Sequence, residues 1–111
     1  MKTFEYKDQW GDVTRVSLVR GAYADGSLAV QALREGDGYW EPYATLTVNL
    51  CDVSNQNASF AYVDTNNLPT AADFLVENGL ATHTGMTRPS GYCVYPLYAF
   101  TSEFFESCWE V

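Results

Sequence analysis

FAYVDTNNLPTAADFLVENGLA, residues 60–81, carries a strand, a turn, a helix and a helix stop in one piece. Phe60 to Val63 is short, aromatic and β-branched, which favours a half-buried pleated strand. Asp64, Thr65, Asn66 and Asn67 have side chains that bond nearby backbone and tolerate unusual dihedrals, so the chain is expected to turn there. Asn67 is the expected N-cap, because Pro69 then sits in a first helical turn where its missing N–H has no partner to lose; Thr70 is the alternative cap. Ala71, Phe74, Leu75 and Leu80 form an apolar stripe near helical spacing, while Asp73 and Glu77 stand one turn apart on another face. Asn78-Gly79 ends the helix, Gly79 supplying the left-handed backbone of a C-cap.

Working outward toward the N-terminus, Thr3–Lys7 alternates Phe4 and Tyr6 with polar neighbours, and Val13–Arg20 repeats the pattern through Val16 and Leu18. Both read as strands, joined by an Asp8–Asp12 turn that bends at Gly11-Asp12. Asp25-Gly26 is a hairpin signal that separates the second strand from Leu28–Leu33, where good helix formers make a helix the rival reading and the hairpin favours a strand. Gly36-Asp37-Gly38 opens the next turn, and Tyr39 to Tyr43 leads into a strand from Tyr43 to Leu50. There Ala44, Leu46, Val48 and Leu50 alternate with Thr45, Thr47 and Asn49, the pattern of a sheet strand with one wet face. Asp52 to Ser59 is polar and Asn-rich, hence a loop.

Toward the C-terminus, Thr82–Gly91 has no apolar period and reads as an exposed loop. Tyr92–Phe100 is a strand whose Pro96 lacks a ladder donor, which places it at an edge or puts a bulge at Pro96. Thr101 or Ser102 caps a short final helix with Phe104, Phe105, Cys108 and Trp109 inward and Glu103, Glu106 and Glu110 outward. The sum is a single α+β domain over residues 1–111, mainly an antiparallel sheet of about five to six strands with two short helices. A chain of 111 residues with 47% hydrophobic content can bury one core without disulfide or metal support.

The net charge of −8 is unevenly spread. Up to Arg34, five cations face four acids; beyond it, ten acids face Arg88 alone. Direct nucleic-acid binding is disfavoured, because that affinity comes mainly from Lys and Arg at phosphates, and a basic protein partner is favoured. No apolar run approaches the roughly 20 residues of a membrane helix, and the first ten residues lack the apolar centre of a signal peptide, so a cytoplasmic monomer is expected with no membrane contact. Cys51, Cys93 and Cys108 are odd in number and lack C-x-x-C spacing, which suits reduced buried thiols.

Catalytic chemistry finds little support. His83 with Cys51, Cys93 and Cys108 lacks the close pairs of a zinc site, and His83 with Cys93 comes without an oxyanion motif. Gly85–Gly91 lacks the order of a phosphate loop. Neither catalytic, cofactor-binding nor metal residues are assigned, and no cofactor is expected. Acid placement is the positive clue: Asp73 and Glu77, with Glu103, Glu106 and Glu110, make two acidic rows. Like charges one turn apart destabilise a helix by a few tenths of a kcal/mol, roughly 0.2–0.5. Solvated faces that aid solubility are the plainer reading of the same rows.

The segments AYVDTNNLPTAADFLVENGLA (61–81) and SGYCVYPLYAF (90–100) resemble a small bacterial family, a domain of unknown function carried on conjugative elements and phages. The resemblance covers the C-terminal half and implies a fold and a mobile-element origin, hence a bacterial host cytoplasm. The chain also resembles the small acidic anti-CRISPR proteins that act on type I-C systems. That resemblance implies an inhibitor, not an enzyme, whose acidic rows stand in for DNA phosphates at a basic channel of the surveillance complex. The alternative is a structural or regulatory interaction module of a mobile element that uses an aromatic surface of Tyr39, Trp40, Tyr43 and Tyr92–Tyr98.

Overall fold

A computed structural model describes residues 2–50 and 59–110. Cys51 and the expected loop from Asp52 lie outside the described residues, up to residue 58. The N-terminal meander forms as the sequence suggests. Strand β1 (Phe4–Lys7) turns into β2 (Val13–Ala22), β3 (Leu28–Gly36) follows, and β4 (Tyr39–Thr45) completes an antiparallel run in the order β1-β2-β3-β4. The first turn is held by the Asp8 carboxylate, which accepts from the N–H groups of Trp10 at 2.9 Å and Asp12 at 3.0 Å. Gly26 and Gly38 take positive φ in the next two hairpins, and the helical alternative for Leu28–Leu33 falls away.

The expected strand from Tyr43 to Leu50 breaks in two at Leu46. Thr45 closes β4, while Thr47–Val48 form β5 in a second sheet. Thr47 is buried, against the period-two expectation, because its hydroxyl accepts from the Val30 N–H at 3.1 Å and bonds the Tyr23 hydroxyl at 2.9 Å. The second sheet runs β5-β6-β8-β7, with β6 (Phe60–Val63), β7 (Ala81–Ser90) and β8 (Cys93–Phe100) all antiparallel.

Strand β7 occupies the stretch read as a loop. It is exposed on both faces and so shows no apolar period; backbone pairing with β8 across the Gly91-Tyr92 turn makes the strand. Strand β8 lies between β6 and β7, so it is not an edge strand of the sheet. The bulge lies on β7 and not at Pro96, which pairs with Thr87: Thr84, Gly85 and Met86 stand against Leu97 alone, with Gly85 at φ +85°. Pro96 also lies one residue past the last β6 pairing, Tyr62 with Leu97, so its missing donor costs no ladder bond to β6.

Helix α1 spans Ala71–Glu77 and starts three residues later than an Asn67 cap implies. Asn67 is already committed to the turn, its N–H and side-chain amide both donating to the Asp64 carboxylate at 3.2 and 3.0 Å. Leu68 precedes a proline, which disfavours helical backbone there. Thr70 is therefore the N-cap residue, but its hydroxyl donates to Tyr6 Oη at 3.2 Å instead of capping. The end of α1 is as read: the Gly79 N–H bonds the Val76 carbonyl and the Leu80 N–H bonds the Leu75 carbonyl, a Schellman closure with Gly79 at φ +72°. Leu80 is buried just beyond the helix.

Helix α2 (Ser102–Ser107) is capped by Thr101, whose hydroxyl accepts from the Phe104 N–H at 3.3 Å and donates to the Gly79 carbonyl at 2.8 Å. Phe104 is fully buried and Phe105 partly, but Trp109 is half exposed. It begins a short strand β9 (Trp109–Glu110) that pairs in parallel with Val19–Arg20 of β2. The described residues thus form nine strands in two sheets, more than the five to six expected, within the same α+β class. One core takes side chains from both sheets and both helices: Tyr6 packs on Phe74 at 5.0 Å and Phe104 on Phe100 at 4.8 Å between ring centres.

Two outcomes follow from these contacts. Thr101→Val removes a cap and the tie to the α1 closure, and is expected to lower unfolding free energy by about 1–2 kcal/mol, with Thr101→Ser losing less, in urea titrations. Burial raises the Tyr6 phenol above 10.0, and burial followed by the Asp73 charge raises Tyr98. Folded Tyr6 and Tyr98 therefore keep their protons to higher pH than in the unfolded chain, so this contribution is complete below pH 10.0 and is lost as pH rises through the folded values. Tyr6→Phe should make the alkaline loss of stability shallower, read by denaturant titrations near neutrality and above pH 10.0.

Candidate functional site

The acidic residues sit on elements fixed by the core. In β1, Phe4 and Tyr6 point inward, so the alternation sends Glu5 and Lys7 outward. Helix α1 lies against this strand, with the Phe74 ring on Tyr6 at 5.0 Å and on Phe4 at 6.1 Å. Asp73 and Glu77 are exposed on the same helix. The result is an open depression of about 490 Å³ whose walls include Glu5, Asp8, Trp10, Asp73 and Glu77. Lys7 stands among these four acids, and Trp10 is 78% exposed at the rim. A depression of that composition attracts cationic side chains by charge and offers an indole face for cation–π contact.

The second row is less uniform. Glu103 and Glu106 line a second open depression of about 680 Å³ with Lys2, Cys108 and Trp109. Glu103 lies 3.5 Å from the Lys2 ammonium, both groups more than half exposed, so this pair is worth little. Glu103 also comes close to α1, since a Cβ on Gly79 would meet its Oε2 at 3.3 Å. Glu110 departs from the expected row: it belongs to β9, not to α2, and pairs with Arg20 at 3.2 Å. Arg20 in turn stacks on the Phe105 ring at 5.0 Å. The structure therefore keeps Asp73 and Glu77 in one depression, groups Glu103 and Glu106 in another with Glu103 near Gly79, and removes Glu110 to β9.

Helix positions sort these acids further. The positive end of a helix dipole stabilises Asp73 in the first turn of α1 and Glu103 in the first turn of α2. Glu77 closes α1 and Glu106 lies in the last turn of α2, where a carboxylate is unfavourable by about 0.3–1 kcal/mol, and neither last turn holds a basic residue. Glu77 and Glu106 are the acids that local stability does not explain.

Glu5, Asp8 and Trp10 were not among the sequence candidates. The outward phase of Glu5 is readable in β1, but no local pattern says that β1 lies beside α1. The expected aromatic surface is divided: Tyr39 is exposed, Tyr43 packs edge-on to Tyr6 at 5.9 Å, and Tyr98 is buried. Burial also pushes the half-buried Cys108 thiol up, with Arg20 opposing. His83 stands opposite Tyr98 while Cys93 stands opposite Ser90, so the β7–β8 register puts them at different ends of the hairpin. Among the described residues, no group of three or more His, Cys, Asp or Glu side chains is placed to hold a metal ion, and no helix is long and apolar enough to cross a membrane.

No curated protein and no solved structure matches the chain. A family described as "Domain of unknown function (DUF4313)" matches residues 18–108, which takes in Asp73, Glu77, Glu103 and Glu106 and leaves β1, Trp10 and Glu110 outside. With the match running over most of its length, from β2 to the end of α2, the chain belongs to the DUF4313 family.

Proposed function

We propose that the protein is a counter-defence inhibitor of the anti-CRISPR kind, which binds the basic DNA-binding surface of a host effector complex and keeps target DNA out by occlusion. The observation that carries this reading is the presence of two acidic depressions, with Glu77 and Glu106 at helix ends where stability disfavours them. Asp73, Glu77, Glu103 and Glu106 are the proposed contact acids, joined by Glu5 and Asp8, with Trp10 at the rim. The resemblance of residues 61–81 and 90–100 to mobile-element and anti-CRISPR proteins supports the choice of a type I-C surveillance complex as the first partner to test. Binding requires no cofactor and no reaction, and its charge pairing weakens with salt.

A second reading, an interaction module of a conjugative element or phage, draws on the exposure of Tyr39 and Tyr92. Apolar contact of that type changes little with salt and shows a heat-capacity change on binding.

The separating experiment uses Glu77→Lys with Glu106→Lys. Lysine at these helix ends is favourable, so the variant should fold at least as stably as the parent, by circular dichroism and urea titration. Capture of the effector complex from cells and inhibition of its DNA binding should both fall, with affinity reduced by about 100-fold, or about 2.7 kcal/mol. A folded variant that binds and inhibits as the parent does would remove the acidic-surface reading, and capture that is equal at low and high salt would favour the aromatic one.

A further inference from the structure

The outer part of the β7–β8 hairpin depends on one joint. From Thr82 to Pro96 no residue is buried, so the arm of residues 85–95 has no core packing to fix its direction. A two-stranded ribbon of that kind is marginal in water. What aims the arm is the bulge at Thr84–Met86, since extra residues on one strand bend that strand and raise its twist. Two N–H groups of the bulge are taken by side chains close by in sequence. The Thr84 hydroxyl accepts from the Met86 N–H at 3.1 Å and donates to the Leu97 carbonyl at 2.8 Å. The His83 ring accepts from the Gly85 N–H at 2.8 Å through Nδ1. Gly85 has φ +85°, so the imidazole bonds the residue at which the backbone turns.

The two clamps differ in one respect. A hydroxyl accepts whatever the pH, whereas a ring nitrogen accepts only while it carries no proton, and an imidazolium is a donor at both nitrogens. The charged and titratable groups around His83 bear on the protonated form. On β8 the Tyr98 ring stands edge-on at 5.0 Å. On α1, which packs against β7, lie Asp73 and Glu77; burial and then the Asp73 charge raise Tyr98, which places that carboxylate on the His83 side of the sheet. Tyr95, farther out on β8, is raised first by its bond with Cys93 and last by the Asp64 charge, and Arg88 of β7 stands opposite Tyr95 beyond the bulge. The carboxylates of α1 attract an imidazolium, while the Gly85 N–H opposes it. Both forces act to take a charged ring off the bulge.

We propose that His83 is a proton-operated lock on the β7–β8 arm: the neutral imidazole holds the Gly85 N–H and fixes the bulge, and protonation releases it, so that residues 85–95 gain freedom as the pH falls below neutral. The bond belongs to the neutral ring, so its contribution is present at higher pH and is lost as pH falls through the titration of His83. Thr84 holds its own bonds throughout, so the bulge loosens on one side and the β7–β8 pairing at Ala81–His83 stays in place. His83 is the single histidine of the chain, and histidine is the side chain that changes charge between about pH 5 and 8. The lock is independent of the acidic-surface reading, because it acts on the arm and needs no partner.

Nuclear magnetic resonance of the full chain between about pH 5 and 8 tests this. At the upper end the ring nitrogen shifts should show Nδ1 without a proton. The Gly85 amide should titrate with the midpoint of the His83 ring. Its protection against hydrogen exchange, corrected for the intrinsic effect of pH, should fall by about fivefold, the worth of one hydrogen bond. The backbone order of Tyr92, at the tip of the arm, should fall with the same midpoint, and that of Val63 in the core should not change. His83→Asn keeps an acceptor that reaches the amide two residues on and cannot gain a proton, so Gly85 should stay protected at every pH. His83→Ala should leave Gly85 weakly protected at every pH. The side chain is exposed, so both variants should fold, as checked by circular dichroism. A proton on Nδ1 at the upper end of the range overturns the proposal, as does Gly85 protection that ignores pH. A Tyr92 signal that does not follow Gly85, or an H83N variant that titrates like the parent, overturns it as well.

Discussion

Everything in this fold depends on the passage of the chain through Leu46 and Thr47. The Leu46 N–H donates to the Val30 carbonyl and its own carbonyl accepts from the Asp64 N–H, each at 2.9 Å, so one residue bonds both sheets through its backbone. The next residue completes the joint, because the Thr47 hydroxyl takes the Val30 N–H and bonds Tyr23. Val30 thus keeps both main-chain partners although β4 has ended. Left unmatched in the core, either group would cost about 1–3 kcal/mol. This joint lets one strand direction serve two sheets, and it sets α1, which follows β6, against β1 from the other sheet.

Local chemistry was legible where it is self-contained. The turns at Asp8–Asp12, Asp25-Gly26, Gly36–Gly38 and Asp64–Asn67 form where short polar side chains and glycines call for them, and the helix stops at Asn78-Gly79 for the same reason. What was not legible is what distant partners decide. Thr47 looks polar and outward until Val30 and Tyr23 are beside it. Asn67 is a fair cap in isolation, but Asp64 takes its donors and Tyr6, more than sixty residues away, takes the Thr70 hydroxyl. Strand β7 has no apolar period because neither of its faces is covered, so periodicity had nothing to report. Glu110 fitted a helical spacing on paper, yet the helix ends at Ser107 and Arg20 draws the residue into a parallel strand.

The candidate site was legible in part for the same reason. Asp73 and Glu77 share a helix, and one turn of spacing is enough to pair them. That Glu5 and Asp8 join them depends on Tyr6 packing against Phe74, a contact between the first strand and a helix in the middle of the chain. The late start of α1 also changes what Asp73 means. With Ala71 as the first helical residue, Asp73 falls in the first turn and the dipole accounts for it, which leaves Glu77 as the unexplained member of the pair.

Placement on rigid elements matters for what such a surface can do. An acidic patch on a mobile loop must be ordered when a partner binds, at about 0.5–1.5 kcal/mol for each long side chain held still. Here the backbone under the acids is already fixed: Tyr6 is buried with its ring against Phe74 and Tyr43 and its hydroxyl bonded by Thr70, so β1, β4 and α1 meet at one side chain. Thr101 fixes the second row to the first through the Gly79 carbonyl. Two short helices of seven and six residues would not persist alone in water. They are held by the aromatic core, and that support allows Glu77 and Glu106 to stand at helix ends that would otherwise favour lysine.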